Sequence, residues 1–318
     1  MEGPYTIDLL AGKSYPGSWQ EFQIWFPDDD ACRHYLERLR WPDGFVCPAC
    51  GHKKAWRSSN HLWKCQKCNR RTSVTAGTIL DKTRTPLQVW FAAAWYITNQ
   101  KLGVSALGLQ RVLGFGSQQT AWTMLHKFRK AMVRPNRTPL VGEVEVDETY
   151  VGGPGKGGKR GRGADKKFIV VIAIELHQPK GFGRIRMCHV PDVSAASLIP
   201  FICDVVEAGS LVRTDGYHTY DSLSSHGYRH EKLVLSTSDS PAHVSMPAVH
   251  LIASLLKRWL MGTHQGSVFG AHLQAYLDEY TFRFNRRNSR RRGLLFYRLL
   301  QQIVVTAPEP YKKIVSKC

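Results

Sequence analysis

The spacing of apolar positions changes period along the chain. Behind a cluster of aromatics (Trp19, Phe22, Trp25, Phe26), the segment ACRHYLERLR repeats Tyr35, Leu36 and Leu39 at helical spacing. The acidic run Asp28–Asp30 before it reads as the cap of a packing helix, with an acidic contact surface as the other reading. Between Pro86 and Met132, PLQVWFAAAWYIT, SALGLQRVL and SQQTAWTMLHKFRKAM predict three short helices, broken at Gly103 and Gly114 and restarted at Ser117. After the break RPNRTP at 134–139 the period shortens. VGEVEVDETYV alternates strictly, FIVVIAIEL is continuously apolar and RIRMCHV alternates again, which predicts three neighbouring strands. A helix over SAASLIPFICDVVEAG, a fourth strand SLVRTDG and a long helix PAVHLIASLLKRWLMG complete a layered α/β domain.

Residues 45–75 fit neither period. They are rich in Cys, Lys, Arg and Asn and hold too few aliphatics to fold without a staple. Cys47-x-x-Cys50 and Cys65-x-x-Cys68 supply it: two knuckles on a short hairpin place four thiolates around one structural Zn²⁺. A redox dithiol is the alternative, and His52 and His61 read as bystanders.

Charge then narrows the partner. The 318 residues carry 44 Lys and Arg against 25 Asp and Glu, a net +19, which attracts a polyanion, nucleic acid first. A hydrophobic content of 43 % excludes a largely disordered chain. No apolar run approaches the roughly 20 residues of a bilayer span, and the first residues lack a basic segment followed by an apolar one. A soluble, unsecreted protein with no membrane partner is expected. On the third predicted helix Gln118 and Gln119 stand where side chains read base edges, and Lys127 and Arg129 where cations hold phosphates. A packing bundle with a polar outer face is the plainer reading. Lys159 and Arg160, in the Gly-rich basic loop GGPGKGGKRGRGADKK, and Arg286, Arg287 and Arg290, in RFNRRNSRRRG, are further backbone-gripping candidates beside plain solvated surfaces.

The chemistry centres on two carboxylates. Asp147 interrupts a strand built for burial, and Asp215 ends the fourth strand before Gly216. If those strands are adjacent, the pair converges and can hold two Mg²⁺ or Mn²⁺ ions for in-line phosphoryl transfer. A strand-end Asp that only caps its turn is the competing reading.

In order along the chain, the ribbon, TSVTAGTILDKTRTPLQVWF, VDETYVGG, TDGY, SLLKRWLMGTHQG and HLQAYLDEYTFRFNRR resemble bacterial insertion-sequence transposases of the ISXO type over roughly residues 45–302. The resemblance implies a ribonuclease-H-like catalytic domain with two Asp and a third residue, followed by a Lys. The Asp positions fall on Asp147 and Asp215, the Lys on Lys257, and the third on His250, where many relatives have Glu. An imidazole is a softer ligand than a carboxylate, so His250 reads as third metal ligand, as general base, or as the mark of an inactive copy. Glu279 is the fallback third position.

The expected multidomain organisation is an N-terminal helical segment (1–43), a small zinc ribbon (44–76), a helix-turn-helix-like unit (77–134), the α/β ribonuclease-H-like domain (135–306) and a tail (307–318). The expected function is cleavage at double-stranded transposon ends and joining of the 3′-hydroxyl to target DNA. It would be carried out by a homodimer or larger assembly in the bacterial cytoplasm, associated with the nucleoid. A binding protein that has lost catalysis and a nuclease that only cuts are the rivals.

Overall fold

The computed structural model describes residues 9–152, 167–177, 179, 181–233, 246–266 and 270–316. They form two compact units, one built on the chain up to Met132 together with Ser289–Ser316, the other on Val133–Asn288.

In the first unit α1 (Trp19–Trp25) and α2 (Asp29–Arg40) precede a three-stranded ribbon of β1 (Ala55–Arg57), β2 (Trp63–Cys65) and β3 (Arg71–Thr72). The three periodic stretches form α3 (Leu87–Asn99), α4 (Ala106–Leu113) and α5 (Gln118–Ala131). Ser105 and Ser117 cap the last two with their hydroxyls, and Gly114 closes α4 at φ 67°, a left-handed turn that glycine adopts without strain. Two residues of the acidic run are helix caps, and the third, Asp30, pairs with Arg33. Asp28 accepts from Ala31 N at 2.8 Å, while Asp29 reaches across to Leu87 N and Gln88 N, at 3.1 and 2.9 Å, and caps α3, which starts behind Pro86 without a cap of its own.

The chain returns to this unit at its far end. In α9 (Arg292–Ile303) Phe296 is fully buried, its ring 5.4–5.8 Å from those of Phe22, Phe26, Phe91 and Trp95. Gly293 lets α9 close in, since a Cβ there would lie 1.8 Å from the Pro16 carbonyl oxygen. The second unit thus ends at Asn288 and not at the expected residue 306, because aromatic packing draws α9 into the first core. A short α10 (Tyr311–Val315) follows, contacting α5 through Tyr311 to Gln119 and Glu309 to Lys130.

The second unit is a five-stranded sheet between helices. β4 (Glu143–Val151), β5 (Phe168–Leu176) and β6 (Phe182–Val190) run antiparallel, α6 (Ala195–Val205) crosses, and β7 (Leu211–Asp215) and β8 (Arg229–Leu233) add parallel to β4. A 3₁₀ segment, His218–His226, links the last two strands, and the order is β6-β5-β4-β7-β8. β8, RHEKL, has no apolar face to announce it, as suits a charged edge strand. The continuous apolar run of β5 is buried on both faces: Val170, Ile172 and Ile174 pack with α7 (Pro247–His264) and α8 (Gly270–Phe284), and Val171 and Ala173 with α6. The opposite edge, β6, is covered by α8. Gln274 and Asn285 accept from His189 N and Ile185 N, at 3.0 and 2.7 Å, and Asn285 donates back to Ile185 O.

Glu175, 4 % exposed, accepts from Val141 N at 3.0 Å, Arg184 N at 2.8 Å and Arg184 Nε at 3.0 Å. Burial raises its pKa, but the Arg184 side chain and the two N–H groups outweigh this and hold it below the usual 4.5. The native carboxyl therefore binds its proton more weakly than the unfolded chain does. Its stabilisation is present above pH 4.5 and lost as pH falls through the native pKa. Arg184→Met should cost about 2 kcal/mol at pH 7, at the low end because the guanidinium is partly exposed, and much less near pH 3.5. Urea unfolding of both proteins at the two pH values measures the gap; equal gaps would remove the pair as its cause.

Candidate functional site

The two cysteine knuckles have one geometry. Gly51 N donates to Cys47 O at 2.9 Å and Asn69 N to Cys65 O at 3.1 Å, with Gly51 and Asn69 at φ 70° and 58°. Cys47 and Cys68 bring Sγ atoms to 3.6 Å, as do Cys50 and Cys65, and all four sulfurs lie within 4.8 Å of one another. Zn–S bonds of about 2.3 Å require tetrahedral edges of about 3.8 Å, so the donor set fits one zinc and leaves no open position for catalysis. Burial raises the Cys47 thiol, but the N–H groups of Ala49 and Cys50 and the neighbouring thiols outweigh it and draw it down to about 6. For Cys65 the N–H of Cys68 is the largest influence and also lowers it. His61 points instead at Asp30, 3.6 Å away.

On β4 the side chains alternate between faces. Val144 and Val146 pack with α6, Val151 with α7 and α8, so Glu143, Glu145 and Asp147 share the α7 face. By the same alternation Val212 faces α6, and Arg213 and Asp215 face α7. β4 and β7 pair as Glu143↔Leu211, Val144↔Val212 and Glu145↔Arg213, and Asp147 and Asp215 each stand two residues beyond the last of these pairs on the same face. Both are half-buried. Asp215 Oδ1 accepts from Tyr217 N at 3.0 Å and so caps the turn that follows β7.

Two neighbours register the shared negative charge. Tyr220, fully buried, donates from Oη to Glu148 Oε2 at 2.9 Å. Burial pushes its pKa well above 10, and Glu148, Asp147 and Asp215 push it further. Lys257 lies exposed on α7, its pKa lowered by desolvation and by Lys167 while Asp147 pulls it up. His250, half-buried, follows Val249, whose N–H donates to Glu145 Oε2 at 2.9 Å. The two aspartates thus share one face of adjacent strands, Lys257 lies in the field of Asp147, and His250 stands in the first turn of α7. Among the described residues, the group that meets metal-holding spacing is the cysteine set; Asp147, Asp215 and His250 do not form such a group. The fallback Glu279 is closed off, 0 % exposed and paired with Arg283 at 2.8 Å. Tyr220 and Glu145 escaped the sequence reading; the one signal was a second buried acid, Glu145, in the same alternating strand.

The candidate nucleic-acid residues divide. Gln118, Gln119 and Thr120 are exposed at the start of α5, where Gln119, Thr120 and Lys127 line a groove of 340 Å³ with Trp90 and Tyr311. Arg129 is 1 % exposed, which corrects the expectation of a phosphate contact there: position 129 falls on the apolar face of α5, and its guanidinium is enclosed. Arg286 and Arg287 lie 4.1 and 4.0 Å over the rings of Phe282 and Phe284 and donate to backbone carbonyls, so they pin the end of α8 as well as carrying charge. Arg290 is exposed, and Lys159 and Arg160 lie outside the described residues.

The chain thus carries a ribbon whose four cysteines fit one zinc and an α/β unit with a five-stranded sheet. Residues 27–71 match the transposase zinc-ribbon domain and residues 139–285 the ISXO2-like transposase domain. A protein in transposable element ISH50 of Halobacterium salinarum is 26 % identical over 281 residues, 81 % of this chain and 91 % of that one. A transposase-like protein of Haemophilus influenzae is 30 % identical over 96 residues, 30 % of this chain and 76 % of that one. The chain belongs to the ISXO2-like insertion-sequence transposases. No helix among its described residues is long and apolar enough to cross a membrane.

Proposed function

We propose that the protein cuts phosphodiesters at the ends of its transposon and joins the freed 3′-hydroxyls to target DNA. The observation that carries this is the placement of Asp147 and Asp215 on neighbouring strands, β4 and β7, on the face of the sheet that α7 covers. Two carboxylates on one face of adjacent strands offer oxygen donors of the kind suited to Mg²⁺ or Mn²⁺, which when bound would offset charge on the attacking and leaving oxygens. His250 completes the set or takes a proton, and Lys257 holds a phosphate oxygen as a point charge. The sheet, three antiparallel strands followed by two parallel ones with helices on both faces, supports a ribonuclease-H-like reading.

In the first unit, the ribbon and the α4–α5 pair would bind the inverted repeats. α4 and α5 are joined by residues 114–117, a turn that suits a helix-turn-helix, and Gln118 and Gln119 stand exposed at the start of the second helix. The net charge of +19 supports a long phosphate footprint, with Lys127 and Arg290 at its surface. Joining two ends in one event calls for a dimer or larger assembly, working on the bacterial nucleoid in the cytoplasm.

The test is incubation with transposon-end DNA, Mg²⁺ or Mn²⁺ and a plasmid target, scored for joined products. Nicks without joining would identify a nuclease, and end binding without nicks a binding protein. In the same assay His250→Ala should lose most activity and His250→Glu retain part of it, since a carboxylate suits Mg²⁺. Near-normal joining by His250→Ala would remove His250 from the site.

A further inference from the structure

α7 starts without a cap of its own. Met246 precedes Pro247 and offers no side-chain acceptor, so the N–H groups of the first turn need one from elsewhere. Glu145, 3 % exposed, supplies it from the sheet, with Oε2 2.9 Å from Val249 N and the Ala248 N–H also bonded to the carboxylate. Arg213 of β7, the register neighbour of Glu145, bonds to Glu231 and pairs with Glu143, and its charge offsets part of the burial that raises the Glu145 pKa. A buried carboxylate is costly unless bonded, and so is an orphaned helix N-terminus. Each therefore holds the other, and sliding α7 by one residue would break both.

Glu145, Arg213 and Val249 each stand close in sequence to a candidate catalytic residue. Asp147 is two residues beyond Glu145 on the same face of β4, Asp215 two beyond Arg213 on β7, and His250 one beyond Val249 on α7. We propose that Glu145 is the positioning residue of the site, the carboxylate that sets the His250 helix against the two aspartates. The inference rests on the proposed reading of those residues as the metal site and adds to it the part that fixes their spacing. Glu145 acts through backbone N–H groups, so Gln, whose amide oxygen accepts equally, should replace it, while Leu, of similar volume with no acceptor, should not.

Asp29 provides the control, because it caps α3 by the same device in the other unit. The test is a titration of the full-length, zinc-loaded protein with Mn²⁺, following free Mn²⁺ by electron paramagnetic resonance, alongside thermal unfolding. Wild type should bind Mn²⁺ more tightly than Asp147→Asn. Glu145→Gln should stay within about twofold of wild type and Glu145→Leu weaken by about tenfold or more, as expected when ligands held by a surrounding shell lose it. Asp29→Ala should lower the unfolding temperature and leave the affinity unchanged. If Glu145→Leu does not fold, Glu145→Asp carries the test, since it keeps the charge and withdraws the acceptor by one methylene. Affinity that depends on Asp147 but not on Glu145, or that falls equally in Asp29→Ala, overturns the positioning role alone. Affinity indifferent to Asp147 overturns the metal site and this inference with it.

Discussion

Cys65→Ser is expected to release the zinc and unfold residues 44–76 while leaving the second unit folded. The ribbon's own core is Phe45, Cys47 and Cys65, with Trp41, Ala55 and Trp63 against it, and two of its three buried members are ligands. So small a cluster cannot offset the ordering entropy of some thirty residues. The metal supplies what is missing, since binding and folding are one event in such sites, worth about 10–16 kcal/mol in zinc-finger peptides. Serine keeps the shape but not the thiolate. Zinc per chain by atomic emission, and protease cleavage mapped by mass spectrometry, should change together, and binding to transposon-end DNA should weaken. Cys32→Ala is the comparison: Cys32 is buried in α2, its thiol pushed up to about 12 by burial and by Asp29 and Asp28, and it should leave the zinc in place. One zinc per chain and unchanged cleavage in Cys65→Ser would defeat the assignment.

Asp147→Asn and Asp215→Asn should each abolish nicking and joining, by at least about a thousandfold, with end-DNA affinity within about twofold of wild type. Several kcal/mol of transition-state stabilisation are at stake where metal ions hold the reacting oxygens, and each kcal/mol counts exponentially in rate. Neither change removes a cation, and phosphate contacts carry most of the affinity for DNA. Gel-shift and cleavage assays on the same preparations separate the two effects. Loss of binding in parallel with activity would mean that the aspartates hold the fold or the DNA and not the chemistry.

The features legible along the chain are those set by near neighbours. The four cysteines, the Ser117 cap of α5, the alternation of β4 and the unbroken apolar run of β5 rest on contacts within a few residues, where a period or a spacing carries the information. The sequence leaves open whether the strands bearing Asp147 and Asp215 are neighbours, and the parallel pairing of β4 with β7 makes them so.

The contacts that sequence periodicity left out join residues far apart. Asp29 caps α3 from 58 and 59 residues away, Glu145 caps α7 from 104 residues away, and Asn285 closes the β6 edge from 100. An acid in a strand or at a helix start looks the same whether its acceptor meets water, a metal or the N-terminus of another helix. Phe296 likewise has the spacing of any amphipathic helix, and packing against four aromatic rings drew α9 back to the first unit. Arg129 and Arg290 are equally basic in the sequence, yet one is enclosed and the other exposed. Local periodicity determined which segments became helices and strands. Which polar groups were left to face a ligand was decided by the tertiary structure, because a buried donor or acceptor must find its partner wherever the fold brings one.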